Sequence, residues 1–265
     1  MREDASGNAG RAPADAATVI LLRQGENGPL VYMGKRNGHG SFAGAHVFPG
    51  GVVEPADMAC GRNAPFCGPG QGAPSVLLKE PETPDDLARG VFAAAIRETF
   101  EESGVLFASR PGGAAAPGAL ARLSAFRDEV AAGEESLPDL ARARGLCLRP
   151  DWLVPTARWI TPAGARRRYD TRFFAALLPE GQHPSPDCTE LVDGGWVDPA
   201  AVLAAQGKEG GYLLFPPTYV MLYCLAGFSS AQDFLAWAAG CPVYAIQPQV
   251  AQVNGRPAVL LPHDP

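Results

Sequence analysis

No run of about 18 apolar residues occurs in the 265-residue chain, so no transmembrane helix is expected. The apolar core of a secretory signal peptide is also missing. Residues 1–16 are rich in Ala, Gly and charge and are expected to form a disordered leader. The six cysteines (Cys60, Cys67, Cys147, Cys188, Cys224 and Cys241) include no C-x-x-C pair. That argues against a structural zinc site and for plain thiols in a reducing compartment. Positive charge is scarce: 22 basic against 28 acidic residues leave a net charge of −6, unsuited to a protein that tracks a nucleic-acid backbone. A small anionic substrate is still compatible, provided a metal ion supplies local positive charge. No internal repeat is found.

What the chain does have is enough hydrophobic residues, 46 %, for a sizeable core. Many of its 31 glycines and 26 prolines fall within 60–74 and 109–118, which read as loop-rich insertions. Thr18–Arg23 and Leu30–Met33 form a hairpin around the turn residues Gly25–Pro29. Ala45–Phe48 leads through Pro49-Gly50-Gly51 into Val52-Val53-Glu54, a strand broken by a tight turn, and residues 58–82 read as loop. The clearest helix starts at Thr83, a candidate cap, followed by Pro84, Asp85 and Asp86, which suit the positive end of a helix. It ends at Gly104, a natural left-handed stop. Beyond it, Ala119–Ala132 and Leu137–Arg144 pattern as helices, then Val154–Thr161, Asp170–Leu178 and Gly194–Val197 as strands. A helix at Pro199–Ala205, two aromatic-rich helices over 216–239 and short strands at Val243–Gln247 and Ala258–Leu261 complete the chain. Interleaved strands and helices with short hairpins imply a mixed sheet.

At about 100° per residue, Glu98, Glu101 and Glu102 project from one side of the long helix, with Phe92, Ile96, Phe100 and Ser103 nearly opposite. The aromatic side is the core side, so the three carboxylates are expected on a water-accessible face. They crowd the last turn, where the helix dipole disfavours negative charge, and Arg97 offsets only part of the repulsion. A local rule broken in this way is expected at a functional site. A hard divalent cation, Mg²⁺ or Mn²⁺, would remove the conflict. The bland alternative is a solvated helix face with Arg97 and Glu101 as an i,i+4 pair.

Gly51, Arg97-Glu98, Glu101-Glu102, Gly104 and Val105 resemble the Nudix signature, G-x5-E-x7-R-E-U-x-E-E-x-G-U with U aliphatic. Thr99 stands where an aliphatic residue is usual. Asp57 takes the place of the first glutamate, with Glu54 nearby. Between Asp57 and Arg97 lie 39 residues where the family has seven, so some 32 are inserted, and long surface insertions cost little. The resemblance implies an α/β Nudix fold, an α/β/α sandwich with a mixed sheet over residues 17–205. It would carry a loop insertion at about 58–82, a helical insertion at about 117–147 and a helical C-terminal extension over 206–265. It makes Glu98, Glu101 and Glu102 metal ligands, with the Gly51 carbonyl as a further one, and Arg97 the residue that orients a ligating carboxylate. A glutamate outside the helix often completes the site, and Glu190 is the candidate here, against its reading as an exposed loop acid.

Lys35-Arg36 and Gly44-Ala-His46-Val-Phe48-Pro-Gly-Gly51 resemble part of the coenzyme A motif of Nudix coenzyme A diphosphatases, with Gly40 in place of its second arginine. The split signature, Trp159-Ile-Thr-Pro162, Arg167–Phe174 and Phe215-Pro-Pro-Thr218 look like the branch that includes the peroxisomal enzyme acting on coenzyme A esters. This implies hydrolysis of coenzyme A or acyl-CoA to 3′,5′-ADP and (acyl-)4′-phosphopantetheine, with Glu102 or Glu190 as base. Arg36, His46, Arg167, Arg168 and Arg172 are the candidate substrate contacts, unless some of the arginines merely pair with acids on the sheet. Leu261–Pro265 is no peroxisomal address, and a cytoplasmic bacterial enzyme without nucleic-acid or membrane partners is expected, a homodimer being left open. Other readings are a Nudix pyrophosphatase for ADP-ribose or another dinucleotide, and a non-catalytic nucleotide sensor.

Overall fold

The computed structural model describes residues 12–38, 42–63, 66, 73–111, 123–253 and 256–262. At its centre lie β1 (Ala14–Gln24) and its parallel neighbour β8 (Tyr169–Leu177). β1 is buried on both faces and therefore reads as a near-continuous apolar run. Val19 and Leu21 point to one core, Ile20 and Leu22 to the other. β2 (Pro29–Arg36) returns antiparallel through a turn in which the Gly25 amide donates to the Gly28 carbonyl. β3 (His46–Val47), β4 (Gly50–Val52) and β9 (Leu191–Val197) add to this end of the sheet, and β7 (Val154–Ile160) and β10 (Ala245–Ile246) to the other. The eight strands run β10-β7-β8-β1-β2-β3, with β4 on β1 and β9 on β2. The mixed sheet is as expected, though β1 starts at Ala14, inside the segment assigned to the leader. Residues 1–11 lie outside the described ones.

One face carries α1 (Pro55–Asn63), α2 (Pro74–Leu77), α3 (Asp85–Ser103), α4 (Arg127–Ala131) and α5 (Leu137–Ala143). Phe92, Ile96 and Phe100 of α3 are fully buried against the sheet, each contributing roughly 2–3 kcal/mol by burial. Phe92 packs on Phe174 at 5.0 Å. Thr99, the departure from the aliphatic pattern, is also buried, and its hydroxyl is satisfied by the Ala95 carbonyl at 2.7 Å. The opposite face carries α6 (Pro199–Ala205), α7 (Pro216–Leu225) and α8 (Ala231–Gly240). The result is an α/β/α sandwich. β5 (Ala108–Ser109) and β6 (Cys147–Leu148) pair in a short ladder of their own, a separate hairpin of β11 (Gln249–Val253) and β12 (Arg256–Leu260) follows, and β11 is a strand that the sequence pattern does not predict.

Three expectations need correction. Thr83 does not cap α3: Pro84 occupies that position, and the Thr83 hydroxyl donates to Glu80. Six plain thiols were expected, but Cys147 is disulfide-bonded, while Cys188, Cys224 and Cys241 are free. The segment 58–82 is no simple surface loop, since α1 and α2 occupy its ends and the chain after α2 is anchored in the protein interior. Lys79, in a left-handed conformation, donates to the carbonyls of Ala238 and Cys241 at the end of α8, where a cation suits the helix dipole. Glu80 is buried between Arg158, at 3.0 Å, and Arg172, at 3.2 Å. Asp170 and Asp15 complete this ionic cluster.

Arg172 has only 3 % of its side chain exposed, so removing a carboxylate leaves a charge that water cannot reach. Glu80→Ala is expected to destabilise the protein by about 2–3 kcal/mol in urea unfolding, Asp170 and Asp15 offsetting part of the loss. A change near zero would mean that the cluster does not hold the insertion.

Candidate active site

The Pro49-Gly50-Gly51 turn is fixed to β1: the Val19 amide donates to the Pro49 carbonyl, and Gly50, Gly51 and Val52 pair with Thr18, Ala17 and Ala16. α3 passes close beneath. A Cβ on Gly50 would overlap the Ala17 backbone carbonyl, so that position requires glycine, and one on Gly51 would displace the Glu98 carboxylate that lies against it. The Gly50 amide donates to Glu102 at 2.8 Å, which ties the turn directly to the acidic end of the helix.

Arg97 joins these pieces. It grips both oxygens of Asp57 at 3.0 and 2.9 Å, donates to the Val52 carbonyl at 3.0 Å, and reaches Glu98 at 2.9 Å and Glu101 at 3.1 Å. The i,i+4 pair is therefore real, but it is one part of a larger hub. Asp57 is buried and also accepts the Glu54 amide, so at this position it serves as the anchor of Arg97.

The expectation of a water-accessible acidic face is corrected here: Glu102 is 3 % exposed and sits under Gly50. Burial pushes the Glu98 and Glu101 carboxyls up to about 7, and Arg97 opposes the shift. Glu102 is also raised well above the ordinary carboxylate value, by burial and by repulsion from Glu98. Behind the helix end, Arg127 donates to the Glu101 carbonyl and occupies the negative end of the dipole. The sequence reading did not single it out. A basic residue in a helix's first turn, where acids are favoured, was the available signal.

A cavity of about 830 Å³ opens on the sheet face opposite α3. Gly51, Glu98, Arg36, Glu190 and Arg167 line it together. Arg36 and Glu190 form an ion pair of 2.6 Å at its wall, with Glu190 mostly exposed. A second cavity, of about 860 Å³, adjoins Arg97, Glu101 and α5. Its two arginines, Arg97 and Arg142, are both ion-paired, and only the first cavity is lined by the Gly50-Gly51 turn and Glu98, which makes that one the candidate site. Three expected substrate contacts lie elsewhere. Arg172 is consumed by the buried cluster around Glu80 and is corrected to a structural role. His46 accepts the Leu213 amide and packs against the Tyr212 ring, tilted, with centroids 4.6 Å apart, while Arg168 donates to the Thr161 carbonyl at 3.2 Å. Neither His46 nor Arg168 lines the cavity.

The donor set fits a hard divalent cation. One oxygen of Glu102 is buried with no hydrogen-bond partner among the described residues, an acceptor that a divalent cation would satisfy. Among the described residues, no three His, Cys, Asp or Glu side chains are already gathered as a ligand shell, because Arg97 draws Glu98 and Glu101 towards itself.

A family model described as the NUDT19 Nudix domain matches residues 62–224. The chain belongs to the Nudix hydrolase family. It is 32 % identical over 255 residues to human acyl-coenzyme A diphosphatase NUDT19, a match covering 83 % of this chain and 64 % of the human protein. The chicken protein of that name is 30 % identical, with 77 % and 62 % covered. The chain thus spans less than two thirds of the length of these relatives. A crystal structure of a Nudix hydrolase from Alicyclobacillus acidocaldarius superposes with a TM-score of 0.62 at 25 % identity, covering 85 % of this chain and 96 % of that one. The Nudix signature is thus divided in this chain: Gly51 and Asp57 precede the matched region, and the Arg97–Gly104 half lies inside it.

The acidic turn has a consequence for stability. The ordinary value for these carboxyls is 4.5, and their folded values are higher, so folding takes up protons in between. Their favourable contribution is present below about pH 4.5 and is lost as the pH rises through about 7. The Tm of metal-stripped protein is expected to fall between about pH 5 and pH 8, and Mg²⁺ or Mn²⁺ to raise it at the upper end. A flat curve in chelator, with no response to either ion, would contradict this account.

Proposed function

We propose that the chain hydrolyses the diphosphate of coenzyme A or of an acyl-CoA to 3′,5′-ADP and (acyl-)4′-phosphopantetheine, dependent on Mg²⁺ or Mn²⁺. The observation that carries this reading is the single cavity in which the Gly51–Glu98 contact faces Arg36, Glu190 and Arg167. The relatives named acyl-coenzyme A diphosphatases, at about 30 % identity, support coenzyme A over other diphosphates. Glu98, Glu101 and Glu102, with the Gly51 carbonyl, would hold the metal. Held there, a divalent cation would supply positive charge to offset the charge developing on the diphosphate and would make the attacking water more acidic.

The other steps belong to the chain's own groups. Arg97 holds Glu98 and Glu101 in place while Asp57 fixes Arg97, so the carboxylates stay in register with the turn. Arg36 and Arg167 bind and orient phosphate oxygens along the cavity wall. Glu190, exposed and in the same cavity, takes the proton of the attacking water. Glu102, buried and bonded to Gly50, is better placed as a ligand than as a base. No described helix is long and apolar enough to cross a membrane.

Glu102→Gln keeps shape and removes charge. It is expected to lower metal-dependent turnover of coenzyme A by roughly 100-fold with the fold intact by circular dichroism. Wild-type turnover would remove Glu102 from the site. Coenzyme A should also be preferred to its dephospho form by about tenfold, because a single charge-assisted contact to the 3′-phosphate suffices for that margin. Arg167→Ala should bring the ratio towards one. Equal kcat/KM for the two substrates in the wild type, or faster turnover of ADP-ribose than of both, would overturn the coenzyme A assignment.

A further inference from the structure

Glu190 lies in the loop that joins β8 to β9, and its carboxylate is held by Arg36. A phosphate bound at Arg36 competes for that guanidinium, so the placement of Glu190 during the reaction rests on its backbone. Both backbone groups are fixed. The Glu190 amide donates to Asp187 at 2.7 Å, and the Glu190 carbonyl accepts the Asn37 amide at 2.9 Å. Asp187 takes three further donors: the Leu191 amide at 2.8 Å, the Thr189 amide at 3.2 Å and the Thr189 hydroxyl. Burial would raise the Asp187 carboxyl, but these donors outweigh it and hold the group below its ordinary value. The Cys188 amide closes the loop on the Leu191 carbonyl at 3.0 Å, and Cys188 takes a left-handed backbone, with φ of 65°, inside this cage. Strain of this kind persists where the surroundings impose it, and it clusters at functional sites.

The same loop is registered to the helix that carries the acidic turn. The Ser185 amide donates to the Ser103 carbonyl at 2.9 Å. Arg127 spans the same gap, donating to the Glu101 carbonyl and reaching the Pro186 carbonyl at 3.4 Å, and the Asp187 carboxylate offsets the charge of its guanidinium. The loop is thereby tied to the last turn of α3, and Glu190 to the glutamates on it. Resting on the reading of Glu190 as the base, we propose that Asp187 is a positioning residue: its carboxylate sets the backbone of residues 188–191, so that Glu190 stays in place when substrate takes Arg36. The cage matters because a reacting group misplaced by about 1 Å can cost on the order of 100-fold in rate.

The test is a double-mutant cycle on the full chain, read as kcat and KM for coenzyme A with Mn²⁺, beside the rise in Tm that Mn²⁺ produces. Glu190→Gln should lower kcat by roughly 100-fold. Asp187→Asn keeps the shape but turns one acceptor oxygen into a donor, and should lower kcat by about tenfold or more with KM within about threefold. Added to Glu190→Gln it should cost nothing further, because it acts through that residue. The Mn²⁺-induced rise in Tm should be unchanged in Asp187→Asn, since Asp187 touches none of the groups proposed to hold the metal. Cys188→Val sets a branched side chain on the left-handed position, and should lower kcat several-fold more than Cys188→Gly. Cys188 is exposed, so this comparison stands even where Asp187→Asn fails to fold. Wild-type kcat in Asp187→Asn, its full loss repeated on top of Glu190→Gln, a diminished Tm response, or equal kcat for the two Cys188 variants overturns the positioning role and leaves Glu190 as the base. Wild-type turnover in Glu190→Gln refutes the base reading, and this proposal with it.

Discussion

Arg97 is the residue through which the parts of the site depend on one another. Its guanidinium offers five donors in a fixed plane, and the structure uses them on Asp57, Val52, Glu98 and Glu101. The turn before the insertion, the first helix of the insertion and the acidic end of α3 are thereby held by one side chain. Lysine could not take its place, since a single ammonium cannot grip a carboxylate in bidentate fashion while reaching a backbone carbonyl and two further acids. The electrostatics follow from the same contact. Three glutamates in the last turn of a helix repel each other and the dipole, and a half-buried arginine with a counter-anion on its far side lets them stay folded together before any cation arrives.

The insertion shows how a signature can be divided in sequence and intact in space. Asp57 enters the hub at one end of the inserted segment, and Lys79 and Glu80 are clamped at the other. The length between them is then of little consequence, because loop closure grows only slowly with chain length. Lys79 also reaches the carbonyl end of α8, so the inserted segment bridges the two helical layers of the sandwich.

Much of this was legible in the residues. Alternation and turn chemistry located β1, β2, β7 and β8, and the glycine stop at Gly104 is in the left-handed conformation, with φ of 72°. The 3.6-residue period separated the aromatic from the acidic side of α3. What was not legible was burial. A helical wheel shows that Glu102 points away from Phe100, but not that Gly50 lies on top of it. The arginines failed in the same way: Arg167 and Arg172 are alike in sequence, yet one lines the cavity and the other is enclosed by acids brought from residues 15, 80 and 170. Ion pairing over such separations carries no local signature. The β11–β12 hairpin went half seen because Gln249–Val253 carries little alternation of its own.

That hairpin has a consequence for how the protein can vary over evolutionary time. Among the described residues it forms its own two-stranded ladder and shares no strand pairing with the eight-stranded sheet, yet Val259 reaches the cavity wall. Strands of the main sheet cannot gain or lose a residue without turning every side chain to the opposite face. A change of length in the hairpin shifts register only within its own two strands. Its length and composition can drift while the acidic turn and the sheet beneath it keep their register, so lineages sharing one hydrolytic centre are free to diverge at the wall that meets the remote end of whatever is bound.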